Sequence, residues 1–185
     1  MKTGKWNLKS LIFMAVCCDL GIILKRIASP AFNLITEFLH IPGGIGTCFS
    51  LMFIIVGAFL CNCIGSATLM CLVQSLIAPV LGATGSLGVL AVVAYLIPGI
   101  IIDILLLVFR HFGKDRKEWV GIVNAIAGVA AAFTANMLTF RLRGPVLWLY
   151  MAVAFTAGMI FGLLGGVLVR RLAKVLRFEE GTQGK

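Results

Sequence analysis

One long stretch without charge decides the fold class of this chain. Residues 41–102 read IPGGIGTCFS LMFIIVGAFL CNCIGSATLM CLVQSLIAPV LGATGSLGVL AVVAYLIPGI II and contain no Asp, Glu, Lys or Arg. The apolar character continues to Phe109. Because a helix needs about 20 apolar residues to cross a bilayer core about 30 Å thick, the stretch is too long for one helix and long for two. It accommodates three crossings, which predicts a membrane protein of several helices.

Two clusters of turn-forming residues divide this stretch. They lie at residues 62–66 and 82–86 and read NCIGS and GATGS. Gly, Asn and Ser in such clusters favour turns over helix interiors. The clusters therefore predict helices near residues 45–62, 66–81 and 87–109, each close to the length that a membrane crossing requires.

Three further apolar runs lie outside this stretch, near residues 8–24, 119–140 and 146–169. Each ends at basic residues, which prefer the level of the lipid headgroups. The predicted fold is an all-α membrane protein with six transmembrane helices in one bundle. The bundle would form a single integral membrane domain over residues 1–185. A five-span arrangement remains an alternative.

The overall composition agrees with a membrane protein. Hydrophobic residues make up 61% of the chain, charged residues 12%, and the mean hydropathy is +1.07. Soluble domains carry about 25% charged residues. A single core could not hide from water the apolar surface of a chain with so few charged residues. The composition excludes a disordered chain, a collagen-like repeat, a disulfide scaffold and an ordinary soluble enzyme.

The distribution of basic residues predicts the orientation. The chain has 16 Lys and Arg against 7 Asp and Glu. With six spans and a cytoplasmic N-terminus, twelve basic residues lie inside and only Lys25, Arg26, Arg141 and Arg143 lie outside. The positive-inside rule then places both termini in the cytoplasm, although five spans give a nearly equal asymmetry. Because the basic residues flank apolar runs and would meet headgroups, no nucleic acid partner is expected.

The six cysteines are expected to be structural thiols. They lie mostly inside apolar runs, where a free Cys acts as a small hydrophobic side chain. Cys61 and Cys63 form a close pair, but no His lies near them to complete a zinc site. The sequence therefore predicts neither a metal site nor a cofactor.

Two acidic residues, Asp19 and Asp103, lie inside predicted helices. An unpaired acid in lipid is costly, so each must be neutral, paired or facing a wet cavity. Arg26 and Arg110 follow them by seven residues, two turns along the same helix face, and offer a local partner. The alternatives are a ligand or coupling role, or pairing with another helix.

Other polar residues also fall within the predicted spans. The amides of Gln74, Asn124 and Asn136 are expected to form interhelical hydrogen bonds. Tyr95 and Trp148 lie in the outer halves of their spans, where they would form an interfacial aromatic belt or a stacking wall for a planar ligand.

Gly158, Gly162 and Gly166 repeat every four residues on the last helix and form a smooth stripe. Such a stripe permits close helix contact, either with another helix of this chain or with another subunit.

The segment over residues 27–44 is too polar to span. Apolar residues at helical spacing alternate with polar ones until Pro42-Gly43-Gly44. We expect a short amphipathic helix in the first outer loop, which would serve as a lid or lie inert on the membrane surface.

Enzymatic activity is not expected. The sequence contains no HExxH, no Gly-x-Ser-x-Gly and no GxxxxGK[ST] motif, and its only imidazoles are those of His40 and His111.

Several layout features occur together along the chain. They are the basic start MKTGKWNLK (residues 1–9), the loop end IPGG (41–44), the hairpin LGATGSLG (81–88), the acid-bearing segment YLIPGIIID (95–103) and the basic tail. In this combination the chain resembles the substrate-binding S components of energy-coupling factor (ECF) vitamin transporters, in the branch for thiamine and its pyrimidine precursor.

This resemblance implies a six-helix bundle with a ligand pocket in its outer half, capped by the first, third and fifth loops. It implies a small vitamin-like ligand, a membrane coupling subunit and two cytoplasmic ATPases as partners, and a bacterial plasma membrane as the location. The residues that match the implied pocket are Glu37, His40, Thr47, Thr84, Ser86, Tyr95, Asn136, Arg141, Arg143 and Trp148. Arg141 and Arg143 would attract an anionic group, and Tyr95 and Trp148 would sandwich a planar ring.

The resemblance also implies a docking face for the coupling subunit. Members of the family carry small residues four apart on the first helix, and the nearest match in this chain is Cys17 and Gly21. Together with the glycine stripe at Gly158, Gly162 and Gly166, these residues are the candidates for partner contact.

The function expected from the sequence is therefore capture of a thiamine-related vitamin or precursor for an ATP-driven importer. Two alternatives remain. One is a self-sufficient secondary transporter or small channel that uses Asp19 and Asp103 as ion sites. The other is a non-transporting helical scaffold subunit.

Overall fold

The structure, a computed structural model, describes residues 7–38, 44–61, 63–80, 91–111, 119–139 and 144–182. Within these ranges the chain forms six α-helices. They are α1 (Leu8–Phe38), α2 (Ile45–Cys61), α3 (Ser66–Val80), α4 (Ala91–His111), α5 (Trp119–Thr139) and α6 (Pro145–Thr182). The all-helical class is as predicted.

Three of the described helices are long and apolar enough to cross a membrane. The qualifying segments are Val92–Phe109 of α4, Trp119–Leu138 of α5 and Pro145–Lys174 of α6. Helices α2 and α3 are also apolar but have only 17 and 15 residues. Many large apolar side chains on the outside of the bundle are exposed, which suits contact with lipid rather than water. These features indicate a membrane protein.

The first helix differs from the prediction. A span near residues 8–24 and a separate amphipathic helix were expected, but α1 is one helix of 31 residues with Pro30 inside it. Lys25 and Arg26 do not end it, because both are good helix formers. Its distal part is held by tertiary contacts: the Phe32 ring packs edge to face on Phe49 and Phe161, at centroid distances of 5.7 and 5.8 Å.

The last helix is also longer than predicted. It begins at Pro145, directly after Gly144 with a φ of +87°, and continues past Val169 to Thr182. Proline suits the first turn of a helix because its missing N–H has no partner there. The basic residues that follow Val169 were expected to end the span, but Arg and Lys are good helix formers and do not interrupt it.

Helix α2 lies at the centre of the bundle. It packs against each of the other helices that the structure describes. Ile54 and Ile55, in its middle, are fully buried, together with Leu51, Val56 and Ala58. A helix that is apolar on every side is stable only when other parts of the protein or lipid surround it. Helix α2 carries no charged residue, and its contacts with the other described helices surround its middle.

The glycine stripe of α6 packs against α5 of the same chain. An ideal Cβ placed on Gly158 would lie 2.6 Å from the Cα of Ala125, and one placed on Gly162 would lie 2.6 Å from the Cα of Gly121. Gly166 is buried as well. The expectation of a partner-docking face at this stripe is therefore corrected, because contacts within the chain occupy it.

This close approach predicts that Gly158→Ala lowers the free energy of unfolding by about 1–3 kcal/mol, because a methyl group would force the two backbones apart. Chemical or thermal unfolding in detergent micelles measures the change. The matched control is Gly46→Ala on α2, where the ideal Cβ meets nothing closer than 3.5 Å. Alanine favours helix over glycine, so the control should be neutral or stabilising. Equal stability of the two variants would contradict close packing of α5 on α6.

Candidate functional site

A polar cavity of about 180 Å³ lies among the first four helices. We call it the Lys25 cavity. It is lined by Ile22, Lys25, Arg26 and Ser29 of α1, Ser50 of α2, Gln74 and Ala78 of α3, and Tyr95 of α4. Six of these eight residues are polar, and the cavity is therefore the best candidate for a binding site among the residues that the structure describes.

The helical repeat explains why these residues share one space. The four residues of α1 follow the i, i+3, i+4, i+7 pattern, which places them on one face of a helix. Gln74 and Ala78 are four apart on α3 and likewise share a face. Ser50 lies near the start of α2 and Tyr95 near the start of α4. The second halves of α1 and α3 thus meet the first halves of α2 and α4 at one end of the bundle.

Lys25 and Tyr95 contact each other at the cavity. The Lys25 ammonium donates a hydrogen bond to the Tyr95 hydroxyl at 3.5 Å, and it lies 5.4 Å from the centroid of the Tyr95 ring. The aromatic ring attracts the cation in addition to the hydrogen bond. This contact joins α1 to α4 across the mouth of the cavity.

Gln74 is positioned by a hydrogen bond to the neighbouring helix. Its Nε2 donates to the carbonyl oxygen of Cys18 at 3.2 Å. The backbone of Gly21 lies next to it, and an ideal Cβ there would be 3.2 Å from Gln74 Nε2 and 3.4 Å from Ser50 Oγ. A larger residue at position 21 would therefore crowd both polar side chains.

Ser50 is the unusual member of the lining. Ser50 is 3% exposed, and its Oγ has no hydrogen-bond partner among the residues that the structure describes. A buried hydroxyl without a partner costs about 1–3 kcal/mol. Ser50 is also one of the residues that line the cavity.

The cavity includes only part of the predicted pocket. Of the predicted pocket residues, Tyr95 lines it, and Gln74, which was predicted only as an intramembrane amide, lines it as well. Thr47 lies in the first turn of α2 and Asn136 is buried on α5, where its Nδ2 donates to Ala132 of its own helix. Glu37 is exposed near the end of α1, beside a shallow depression with Leu34, Ile35 and Phe38. The predicted residues His40, Thr84, Ser86, Arg141 and Arg143 lie outside the described residues.

The predicted aromatic sandwich is not formed. Trp148 is 71% exposed on α6 and does not line the cavity that contains Tyr95. Helix α4 packs mainly on α3 and α5 rather than on α6. The rings of Tyr95 and Trp148 cannot sandwich a ligand, because α5 lies between α4 and α6, the two helices that carry them.

Asp103 caps a neighbouring helix. Its carboxylate accepts hydrogen bonds from the amides of Ala67 and Thr68, at 3.2 and 2.8 Å, and from the Thr68 hydroxyl at 2.6 Å. These amides belong to the first turn of α3, where N–H groups lack partners within the helix. Pairing with another helix, one of the alternatives for this acid, is therefore present in the structure.

The remaining intramembrane candidates lie away from the cavity. Asn124 Nδ2 donates to the carbonyls of Gly158 and Cys48, at 2.8 and 3.3 Å, and so joins α5 to α6 and α2. Asp19 is exposed on the outer face of α1.

Cys17 and Gly21, the proposed docking residues of α1, are buried inside the bundle. An ideal Cβ on Gly57 of α2 would lie 3.2 Å from the Cβ of Cys17, and Gly21 packs on α2 and α3. This corrects the expectation of a partner face at these two positions, because the chain's own helices cover them.

Sequence reasoning missed Lys25, Arg26, Ser29 and Ser50 as cavity residues. From the sequence, the basic pair is interpreted as the end of a span, and Arg26 also as a local partner for Asp19. The signal that could have found them is the helical spacing of residues 22, 25, 26 and 29. This spacing indicates a shared helix face only if α1 is taken to continue beyond Lys25-Arg26. Ser50 has no comparable signal in the sequence.

The chain shows no significant similarity to any protein-family model, curated protein or solved structure.

The capping role of Asp103 predicts that Asp103→Ala lowers the free energy of unfolding by about 3 kcal/mol, because it leaves two buried amides and a hydroxyl without an acceptor. Asp103→Asn keeps one acceptor oxygen and should lose less. The control is Asp19→Ala, which removes an exposed acid from a helix and should change stability by about 0.5 kcal/mol or less. Unfolding in micelles measures all three, and an equal effect at both positions would contradict the capping role.

Proposed function

We propose that this chain is the substrate-capturing membrane subunit of an importer, of the ECF S-component type, and that it binds a small water-soluble vitamin or precursor in the Lys25 cavity. The observation that carries the proposal is the cavity itself. Polar and charged side chains are costly at membrane depth and usually mark the path or site of a solute. Here six of them converge on one space between four apolar helices.

The proposed arrangement has six membrane crossings with both termini in the cytoplasm. The charge asymmetry of the sequence supports it. In that orientation, the second halves of α1 and α3 and the first halves of α2 and α4 are their outer halves. The Lys25 cavity would then face the outside, where an uptake subunit must meet its solute.

The energy for uptake would come from other subunits. The sequence has no GxxxxGK[ST] loop to cradle nucleotide phosphates. A membrane coupling subunit and two cytoplasmic ATPases would supply it.

The positions of the two intramembrane acids favour capture over ion-driven transport. The Asp103 carboxylate already accepts three hydrogen bonds, and Asp19 lies on the outer face of α1. Neither acid lines the cavity within the part of the chain that the structure describes.

Capture of a solute is tested with the full chain in lipid nanodiscs. Native mass spectrometry identifies any metabolite that co-purifies, and a panel of water-soluble vitamins and precursors is titrated for saturable binding. We expect one compound to bind. Tyr95→Leu should weaken its binding about tenfold, through loss of the ring and hydroxyl at the cavity.

The matched aromatic control is Trp148→Leu, which changes an exposed ring outside the cavity and should leave affinity unchanged. The absence of any binding compound would contradict solute capture. If only Trp148→Leu weakened binding, the site would lie elsewhere.

The orientation is tested with reporter fusions in bacterial cells. A fluorescent protein fused after Lys185 should fold and fluoresce, and alkaline phosphatase fused there should stay inactive, because each reporter works on one side only. Phosphatase inserted after Gly144, in the proposed outer loop, should be active. Active phosphatase at Lys185 would contradict a cytoplasmic C-terminus.

A further inference from the structure

We infer that the Lys25 cavity recognises an oxyanion, so that its solute carries a carboxylate or phosphate group held by Lys25, Ser50 and Tyr95. This inference rests on the proposed function and adds the chemical class of the substrate. Four features support it. They are the charge of the cavity lining, the unpaired hydroxyl of Ser50, the hydroxyl donor of Tyr95 and the size of the cavity.

The charge of the lining is positive. Lys25 and Arg26 both line the cavity, and no acidic residue does so within the described ranges. The Lys25 ammonium is partly buried, and its described contacts are with the hydroxyl and ring of Tyr95. A cation at this depth is stabilised most by an anion, since burying an ammonium without a counter-charge is costly.

The hydroxyl of Ser50 supplies a donor with no competing partner. The side chain is almost fully buried, lines the cavity and has an unpaired Oγ. The other serine of the lining differs, because Ser29 Oγ donates to the Lys25 carbonyl at 2.7 Å. A bound oxyanion would accept the proton of Ser50 and remove the cost of its burial.

Tyr95 can add a second hydroxyl donor. Its oxygen accepts the hydrogen bond from Lys25, so its own proton remains available to a ligand. The ammonium and the phenol then act together on one anionic group. Hydrogen bonds from charged donors to an anion are about twice as strong as neutral ones.

The size of the cavity limits the solute. Its volume of about 180 Å³ is below the roughly 300 Å³ at which drug-sized pockets begin. The cavity fits a small organic anion or the anionic end of a longer molecule. A cation related to thiamine would be repelled by Lys25, so the lining disfavours the thiamine-related ligand expected from the sequence.

The test measures binding of small anions to the full chain in nanodiscs. Sodium phosphate and sodium acetate are titrated at constant ionic strength, with acetamide as the neutral analogue of acetate and tetramethylammonium chloride as a cation. Isothermal titration calorimetry or a thermal shift follows binding. We expect saturable binding of an anion and none of acetamide or the cation. A response to phosphate alone indicates a phosphate-bearing solute, and a response to acetate alone a carboxylate.

Two variants assign the binding to the cavity. Lys25→Met removes the charge but keeps the length of the side chain, and it should weaken anion binding about tenfold or more. Ser50→Ala should weaken it severalfold, while the melting temperature stays the same or rises because the lost hydroxyl had no partner. Their matched controls are Lys9→Met at the far end of α1 and Ser75→Ala. Ser75 is buried but lies outside the lining, and its Oγ donates to Leu72.

The outcomes separate this inference from the proposed function. Unchanged anion affinity in Lys25→Met and Ser50→Ala would overturn the oxyanion site. If a neutral or cationic member of the vitamin panel binds while no anion does, solute capture stands and the oxyanion inference fails. If nothing binds, both fail.

Discussion

The structure depends on the burial of the middle of α2. Its residues carry no charge from Ile45 to Cys61, and its middle turns are enclosed by the surrounding helices. The arrangement of the other described helices follows, because each has to present a face to this one. Close approach is achieved with small side chains. On Gly57 an ideal Cβ would lie 3.2 Å from Cys17 of α1, and on Gly128 it would lie 2.7 Å from Cys48 of α2.

Polar side chains in the bundle fall into two groups. Asp103 and Asn124 connect helices through the Asp103 carboxylate and the Asn124 Nδ2, while the Asn124 Oδ1 has no partner among the described residues. Such bonds fix the relative position of helices that apolar contact alone would leave free to slide. Lys25 and Ser50 differ, because neither has a strong partner and both border the same space. Position at the cavity separates the residues that can serve a ligand from those that hold the bundle together.

The sequence predicted the helices better than the site. Apolar length is a local property, so the helical class and most helix positions follow from it. The continuity of α1 could not be predicted, because Lys25-Arg26 and Pro30 are common at helix ends, whereas the contacts of Phe32 with rings distant in sequence support the continued helix. Tyr95 and Gln74 were recognisable as polar residues in apolar segments. Ser50 was not, because its significance arises only where α1, α3 and α4 meet around it.

The central position of α2 has a consequence for how the protein is made. Its neighbours α5 and α6 lie at the other end of the chain, so most of the polypeptide is synthesised before α2 has all of its contacts. Until then its inner surface faces lipid or an insertion factor. Because lipid tails are as apolar as the side chains that later replace them, this waiting state carries little penalty. Late closure around an early helix is therefore compatible with synthesis in chain order, since α6 is the last of the described helices to be made.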